Sequence, residues 1–522
     1  MKKIIKILII GITVFYGCTD LKEEILDETT GEENLVYENL YALVAPTYNS
    51  FAQLYYIRQV WGIQEVTTDE LMIPTRGTDW FDGGIWQMHY LHTWIPQHEH
   101  IVMCWNALAE GMARANYSLL LLDEFENTQE VNYFRAELNF LKCLYMYYYM
   151  DIFGKVPFRE YTEQNFGKNP SVFNREQAFH YIVKKINEIK PSLGAKYDVH
   201  YGRPNKDAAT MFLAKLYLNK EVYTGEAAYD SCLIYVDEIL NSGRYSIADD
   251  YFQIFGPDND QNYDDDDEAI LVTVLNDEED MDNTASWHEV FQLAFHYNQR
   301  FQQGYAGGYN GICSQKDYLE KIIAHTDTAT DVRWRDDRIY DLTAIYVGFN
   351  YGQQYDINGR KLYERGNVNP LIFSFEAPLY TSTESNGVRI MKYWLKLPTL
   401  QSARAPNDFV VWRYSDALLM QAECNLRMGN AAEALTAVNT LREKRNAPLL
   451  SSIDLSSLLT ERAIELYTEG HRRQDMIRFG TYLDTKADKP YVSSETRLLC
   501  PIPQDAIDAI ADESLLSQNP GY

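Results

Sequence analysis

Apolar side chains recur at helical spacing along much of the chain. From Phe134 to Tyr148 they follow the i, i+4, i+7 pattern of one helix face, and further apolar residues fill the opposite side. We therefore predict a helix that is buried all round and ends at the stop signals Gly154 and Pro157. The same spacing predicts further helices at 175–190, 207–219, 227–241, 408–428, 431–445 and 461–479.

The predicted helices come in pairs joined by short turns. One such turn is Gly429-Asn430, and small residues such as Ala422 and Ala434 lie where two helices would touch closely. Units of about 34 residues with this layout are typical of tetratricopeptide-type hairpins, although no copy carries the full repeat consensus. We predict a mainly α fold of tetratricopeptide-like helix hairpins, with a helical scaffold at about 100–250 and 405–480.

Two long stretches, at about 55–100 and 255–400, lack helical spacing. They are rich in Gly, Tyr, Trp and Asn, and their β-like runs are short, as at 269–274. Long ordered excursions from a scaffold tend to carry binding function. We therefore predict that they form an irregular, loop-rich ligand-binding half, and that residues 36–522 make up a single fold.

The N-terminal segment has the pattern of a lipoprotein export signal. A short basic start precedes an apolar run at 7–16, which is too short to span a bilayer and ends in Gly17-Cys18, similar to a lipobox. We predict a signal peptide at 1–17, lipidation of Cys18 and a flexible acidic leader at 18–35. Several acyl chains together give stable membrane anchoring. A plain signal peptide with a coincidental Cys is the alternative.

Charge narrows the classes of partner. The 522 residues include 47 Lys and Arg against 75 Asp and Glu, so the formal net charge is −28. Such a chain repels phosphate backbones and anionic membrane faces, and we predict no nucleic-acid partner. The six cysteines other than Cys18 are far apart and form no C-x-x-C motif, so we expect buried thiols.

Motifs of common catalytic chemistries are absent from the sequence. It contains no P-loop, no G-x-S-x-G nucleophile elbow and no H-E-x-x-H metal motif. We therefore predict that the protein is not an enzyme. A helical surface glycoside hydrolase is the less favoured alternative, because its paired carboxylates are recognised only by their separation in space.

Two segments hold metal-ligand residue types in incomplete patterns. Four histidines crowd together at His89, His92, His98 and His100, but no carboxylate or Cys completes a recognisable site, so packing and surface roles are favoured. Asp258-x-Asp260-x-Asn262 resembles the start of a calcium loop, but Tyr263 replaces the turn Gly and Ala269 the bidentate Glu. We predict no metal and no other cofactor, and leave a structural calcium ion open.

Aromatic residues supply the positive signal. The chain has 40 Tyr, 22 Phe and 9 Trp, and Trp80 and Trp94 lie among charged residues such as Asp69 and Arg76. A Trp or Tyr face covers the apolar C–H face of a sugar ring, while Asp, Asn or Arg binds its hydroxyls. The cluster therefore favours carbohydrate binding, and for any single aromatic residue burial in the core is the alternative. The Gly- and Tyr-rich stretch 304–311 suits a second binding loop.

A series of motifs runs in order from the lipobox to the last residue. They comprise Arg135-Ala136-Glu137 with Phe153-Gly154-Lys155-Val156-Pro157, Leu213-Ala214-Lys215, Arg413 to Glu423, Arg442 with Arg445, Glu461-Arg462 with Glu469-Gly470-His471-Arg472, Asp475 and Arg478, and Gln518-Asn519-Pro520-Gly521-Tyr522. Together they resemble the SusD/RagB family of outer-membrane nutrient-binding lipoproteins. Several of the motif charges share a predicted helix, and we expect them to pair internally or to cap helices.

This resemblance implies a fold of four tetratricopeptide-like hairpins with an irregular ligand-binding half. It implies a SusC-like TonB-dependent transporter as partner, over which a surface-exposed, lipid-anchored outer-membrane protein closes as a lid. The usual cargo is an oligo- or polysaccharide, with peptides in a minority branch. A pure scaffold that only gates the transporter is a third hypothesis.

The resemblance also implies ligand-binding residues. Asp69, Arg76 and Trp94 match an acidic, basic and aromatic trio by position, and Trp80 belongs to the same cluster. Trp287, Tyr305 and Tyr309 are expected by region rather than by motif. Glycan binding through these side chains, without catalysis, is the predicted function.

Overall fold

Helices joined by loops and short strands make up the described part of the chain. The structure is a computed structural model that describes residues 32–160, 170–260, 268–274, 293–299, 308–336, 346–356, 358–394, 407–510 and 515–522. The chain divides into residues 1–42 and residues 43–522. The described part of the first unit is the beginning of a helix that starts at Glu32, inside the predicted acidic leader.

The helices confirm the mainly α prediction. They are α1 (Glu32–Gln53), α2 (Val60–Val66), α3 (Ile85–Leu91), α4 (Glu99–Leu122), α5 (Gln129–Ile152), α6 (Arg175–Ile189), α7 (Lys206–Leu218), α8 (Lys220–Thr224), α9 (Tyr229–Leu240), α10 (Lys316–His325), α11 (Tyr414–Arg427), α12 (Ala431–Lys444), α13 (Leu455–Leu466), α14 (Arg472–Arg478) and α15 (Gln504–Asp508). Between residues 241 and 413 one complete α-helix, α10, lies within the described residues, so the irregular character predicted there is also present.

The strands are short. They are β1 (Leu71–Met72), β2 (Lys155–Phe158), β3 (Ser171–Asn174), β4 (Ala269–Thr273), β5 (Cys313–Ser314), β6 (Arg335–Asp336), β7 (Val347–Asn350), β8 (Gly352–Gln353), β9 (Ile372–Phe373), β10 (Arg389–Met391) and β11 (Phe409–Arg413). They pair antiparallel as β1 with β5, β2 with β3, β4 with β11, and β8 with β9, and β7 lies between β6 and β10. These small sheets tie loops to the helical scaffold.

Helix pairs form the centre of the molecule. Helix α4 packs on α5, α7 on α9, and α11 on both α9 and α12. The side chain of Thr128 accepts a hydrogen bond from the Val131 amide and so caps α5, whose residues from Phe140 to Ile152 are all buried. Ala422 and Ala434 are fully buried where α11 meets α12, as their small size predicted.

One predicted helix begins with a strand. Residues 408–428 were expected to be helical throughout, but β11 occupies their first part and α11 starts only at Tyr414. All five residues of β11 are buried, and Val410 pairs with Val272 of β4. A fully buried strand is a continuous apolar run, which periodicity alone does not distinguish from a buried helix.

A second predicted helix is interrupted. The range 461–479 contains the end of α13 and all of α14, separated by a bend in which Thr468 has φ of +60° and Gly470 has φ of +80°. Both angles lie in the left-handed region, which ends a right-handed helix. The Thr468 amide donates to the buried Glu70 carboxylate at 2.6 Å, so a contact that is distant in sequence fixes the bend.

Buried ion pairs join these elements into one network. Arg413 is fully buried and donates to Glu268, Glu465 and Glu469 at 2.5–2.7 Å. Arg445 binds Glu268 and Glu465 as well, at 3.0 Å. Burial alone would raise the pKa of the Glu465 carboxyl, but the arginines around it hold that pKa well below its usual range. The charges are therefore ionised and fully paired.

A second buried network links the helix pairs. Asp416 of α11 accepts from Lys215 of α7 and from Arg462 of α13, and Arg462 also binds Asp475 of α14. Glu423 is held by Arg478 through two hydrogen bonds of 2.7 Å. These are the charged residues of the sequence motifs, and they pair with one another inside the scaffold, as expected.

We predict that Arg413→Met strongly destabilises the protein. The substitution leaves three buried carboxylates short of a cation, and breaking a buried ion pair by removing one partner costs about 3–5 kcal/mol of unfolding free energy. Equilibrium denaturant unfolding measures the change. Lys444→Met is the matched control, since it removes an ion pair with Asp249 whose two side chains are exposed. Equal shifts in the two variants would contradict the assigned role of the network.

We also predict unfolding in acid. Burial opposes ionisation of Glu461 and Asp475, but neighbouring arginines outweigh it and lower the pKa of both carboxyls to about 2. In the unfolded chain these groups titrate near pH 4. The stability they supply is therefore present above about pH 4 and is lost as the pH falls towards 2. Circular dichroism across this range measures the loss, and an unchanged melting temperature at pH 2 would contradict it.

Candidate functional site

A tight turn at residues 76–84 presents aromatic side chains to solvent. The backbone N–H groups of Arg76 and Asp79 each donate to the other residue's carbonyl at 2.9 Å, which reverses the chain. Later in the same turn, Trp80 has φ of +64° and Asp82 has φ of +42°. Such angles are unfavourable for residues with a Cβ and cost about 1–3 kcal/mol each, and such outliers cluster at functional sites.

The Trp80 side chain is fixed in place. Its indole N–H donates to the Tyr309 carbonyl at 2.9 Å, and its ring lies 6.4 Å from that of Trp86. A Cβ on Gly311 would come within 3.0 Å of the indole, so the glycine allows the ring to lie against the backbone. Trp80 is half-buried, whereas its neighbours Phe81 and Tyr309 are 53% and 41% exposed.

Charged and polar groups adjoin these rings. The Asp79 carboxylate accepts from the Tyr297 hydroxyl at 2.7 Å and from Arg365 at 2.6 Å. The Arg365 guanidinium lies 4.0 Å from the centre of the Tyr297 ring and also pairs with Glu384. We refer to Asp79, Trp80, Phe81, Tyr297, Tyr309 and Arg365 as the aromatic surface. It combines apolar ring faces with hydrogen-bonding groups.

Electrostatics keep the charged members of the aromatic surface ionised. Partial burial raises the pKa of the Asp79 carboxyl slightly, but hydrogen bonds from Tyr297 and Arg365 outweigh it, so the pKa lies below its usual value. The pKa of Glu384 is lowered in the same way by Arg365 and His296. Burial and the bond to Asp79 raise the pKa of Tyr297 to about 12, so its hydroxyl remains a donor.

Three of the predicted ligand contacts lie in the interior. Asp69 is 3% exposed and is held by Arg472 at 2.7 Å, and Lys321 also reaches it. Arg76 is 2% exposed and donates to the carbonyls of Thr383 and Asn386. Both side chains are buried and form hydrogen bonds with other groups of the protein. In this structure neither Asp69 nor Arg76 is therefore accessible to a ligand.

Trp94 is also an interior residue. It is 1% exposed, and its indole N–H donates to the Tyr522 hydroxyl at 2.6 Å. The Arg497 guanidinium donates to the Trp94 backbone carbonyl at 2.8 Å. For Trp94 the core alternative is therefore the correct one. Trp80 and Tyr309, by contrast, meet at the aromatic surface. Cys18, Trp287 and Tyr305 lie outside the described residues.

Sequence reasoning missed Tyr297, Arg365 and Glu384. Arg365 is separated from Asp79 by 286 positions, and no local pattern connects the two. Tyr297 belongs to the run Phe295-His296-Tyr297-Asn298, whose mixture of aromatic and polar residues resembles that at residues 79–82. That composition is the signal by which Tyr297 was accessible from the sequence.

The calcium pattern gains no support from the residues that the structure describes. Asn262 and Tyr263 lie outside them, and Asp258 and Asp260 join no described group of three metal-ligating side chains. The described residues contain one such group, formed by His89, His98 and His100. None of the described helices is both long and apolar enough to cross a membrane.

Comparison with known proteins identifies the class. The model of the SusD family matches residues 267–522, and a family described as starch-binding associating with outer membrane matches residues 26–218. The chain therefore belongs to the SusD family, as its motifs indicated.

Particular relatives can be named. The chain is 24% identical over 419 residues to the starch-binding protein SusD of Bacteroides thetaiotaomicron, covering 76% of this chain and 72% of that protein. A SusD superfamily protein from Parabacteroides distasonis has a similar structure, with a TM-score of 0.70, 19% identity, and coverage of 93% of this chain and 99% of that one. Surface glycan-binding protein A from Bacteroides thetaiotaomicron, solved in complex with laminarihexaose, is also similar in structure. Its TM-score is 0.68 and its sequence identity 19%, and the match covers 92% of this chain and 99% of that one.

The placement of Trp94 yields a prediction. Trp94→Phe removes the indole N–H that donates to the hydroxyl of the half-buried Tyr522 and leaves space in the core, so we expect a loss of about 1–3 kcal/mol in unfolding free energy. Denaturant unfolding measures it. Retardation of the folded variant in polysaccharide gels should equal that of the wild type. Loss of retardation with unchanged stability would contradict this prediction and indicate that Trp94 contacts the glycan.

Proposed function

We propose that the protein is a non-catalytic lipoprotein of the outer cell surface that binds an oligo- or polysaccharide at the aromatic surface and delivers it to a SusC-like TonB-dependent transporter. The observation that carries the proposal is the fixed, half-exposed ring of Trp80. It stands in a turn of unfavourable backbone angles, with the exposed rings of Phe81 and Tyr309 and the ion pair of Asp79 with Arg365 around it.

This arrangement suits a sugar better than a purely apolar ligand. Ring faces cover the C–H side of a pyranose, and each good contact contributes about 0.5–1.5 kcal/mol beyond buried area. The Asp79 carboxylate and the Arg365 guanidinium are charged, and charged groups form the stronger hydrogen bonds with hydroxyls. Because internal hydrogen bonds fix Trp80 and Tyr297 before a ligand arrives, little side-chain entropy is lost on binding.

The ionisation of the carboxylates favours binding over hydrolysis. A glycoside hydrolase needs one carboxylic acid whose pKa is raised, so that it donates a proton to the leaving oxygen. Asp79 and Glu384 both have lowered pKa values, because each is paired with Arg365. Neither carboxylate fits the role of a general acid at neutral pH.

The relatives support the same proposal. The named SusD protein binds starch, and one structural neighbour was solved with a laminarin hexasaccharide. Anchoring at Cys18 would hold the protein at the membrane, and the lid arrangement over a transporter follows from the family resemblance. Peptide cargo and a pure gating role are the alternatives.

A binding screen tests the proposal. The full chain, purified in detergent, is run through native gels that contain members of a polysaccharide panel, and calorimetry gives the Kd for any glycan that retards it. We expect Trp80→Ala and Tyr309→Ala each to raise the Kd by about 2- to 13-fold, which corresponds to the loss of one ring contact. A reducing-sugar assay on the same mixtures should show no release of sugar.

The matched control is Tyr197→Ala. Tyr197 is 64% exposed and precedes helix α7, and it is not part of the aromatic surface. The control should bind like the wild type. Retardation that survives both Trp80→Ala and Tyr309→Ala would place the glycan elsewhere, and no retardation by any glycan would favour peptide cargo or gating. Release of sugar would identify an enzyme.

A further inference from the structure

Three buried histidines converge beneath the aromatic turn. His89 lies in α3, His98 occupies the position just before α4, and His100 lies in the first turn of α4. Each is only 2–3% exposed. Ile95 and Gln97, between the two helices, and Glu99, the first residue of α4, are exposed, so the cluster lies just below the surface.

The geometry of the three rings suits a shared cation. One ring nitrogen of each histidine lies within 4.8 Å of one from each of the others. His89 Nε2 and His100 Nδ1 are 3.0 Å apart. Metal–nitrogen bonds of 2.0–2.1 Å in a tetrahedron separate two ligand nitrogens by roughly 3.3 Å, so a small movement converts this pair into two ligands.

The hydrogen bond of His98 Nε2 leaves the second ring nitrogen, Nδ1, available to bind a cation. His98 Nε2 lies 3.0 Å from the Ile85 carbonyl, which can only accept a hydrogen bond, so Nε2 carries the hydrogen and Nδ1 has a free lone pair. That Nδ1 atom is buried and has no hydrogen-bond partner, and the same holds for His89 Nδ1. A backbone carbonyl that fixes the tautomer of a ligating histidine is the usual outer-shell partner at metal sites.

His92 provides a comparison within the same segment. Its Nε2 contacts the Thr67 carbonyl at 2.8 Å and its Nδ1 contacts the Ser493 hydroxyl at 3.0 Å. Both of its ring nitrogens are satisfied, as expected for a core histidine. Within this segment the unsatisfied ring nitrogens belong to His89 and His98, and a shared metal ion would engage the Nδ1 atom of His98.

The charge state is also suitable. Burial, reinforced by the other histidines, lowers the pKa of His89 and His100, to about 2 for His100, and burial lowers that of His98. All three are neutral at physiological pH, which is the form that binds metals. Arg58 and the positive end of α4 disfavour a cation here, and an anionic fourth ligand such as hydroxide would offset this effect.

We propose that His89, His98 and His100 bind one divalent transition-metal ion of the zinc class, with a fourth position left for water, hydroxide or a carboxylate. Imidazole nitrogen is a ligand that Zn²⁺ and its neighbours in the first transition row accept, whereas Ca²⁺ and Mg²⁺ prefer oxygen. Such an ion would join α3 to α4. The turn that carries Trp80 runs directly into α3, so the metal would stabilise the base of the aromatic surface.

Metal titration of the full chain tests this proposal. The protein, purified in detergent, is stripped with EDTA, desalted and titrated with Zn²⁺ against a chromophoric chelator, and in parallel with Co²⁺ while visible absorption is recorded. We expect one equivalent of Zn²⁺ to bind, the intense Co²⁺ bands of a tetrahedral site to develop, and the melting temperature to rise. Failure of the stripped, folded protein to take up either ion would overturn the proposal.

Variants assign the ligands. His98→Gln and His100→Gln should each weaken Zn²⁺ binding by about 100-fold or more. His180→Gln is the matched control, because His180 is an exposed histidine of α6 and should leave affinity unchanged. Equal affinity in all three variants would place the metal elsewhere and refute the site.

A measurement on the wild type covers the case in which the variants fail to fold. X-ray absorption at the zinc edge distinguishes imidazole shells from carboxylate shells. About three imidazoles per zinc would agree with the proposal, and a shell of oxygen ligands alone would overturn it. The glycan screen is independent of this readout, so the two proposals fail separately.

Discussion

The buried ion network around Arg413 is the interaction on which the rest of the structure depends. Its guanidinium joins Glu268, which precedes strand β4, to Glu465 and Glu469 at the end of α13 and beyond it. Buried charges are costly unless every one is paired and hydrogen-bonded. The strands and helices that supply these groups must therefore meet in one arrangement, and small displacements would leave a charge without its partner.

The same principle positions the aromatic surface. Asp69 is bound by Arg472 of α14, and Arg76 binds the carbonyls of the loop at 383–386, which also carries Glu384. Asp69 and Arg76 therefore affect the aromatic surface only through the loops that they hold. The hydrogen bonds of Arg76 anchor the interior side of the turn that carries Trp80 and Asp82, whose backbone angles are unfavourable.

Much of the fold was predictable, and the errors have a common cause. Helices α5, α6 and α12 follow from spacing and terminators. Internal pairing of the motif charges was also expected, but the partners lie on different elements, as Asp416 of α11 and Lys215 of α7 do. The strand at 409–413 and the bend at Thr468 did not follow. In both cases the deciding partner, Val272 for the strand and Glu70 for the bend, lies more than a hundred positions away.

The candidate site shows the same division between local pattern and tertiary contact. The sequence by itself determined the family, the helical scaffold and a region rich in aromatic and charged residues, because these depend on composition, spacing and motif order. Only the tertiary structure decided that Trp80 is half-exposed at the aromatic surface while Trp94 is enclosed, and that three histidines converge. Exposure depends on what packs against a side chain, and here those partners are Tyr309 for Trp80 and Tyr522 for Trp94, 229 and 428 positions away.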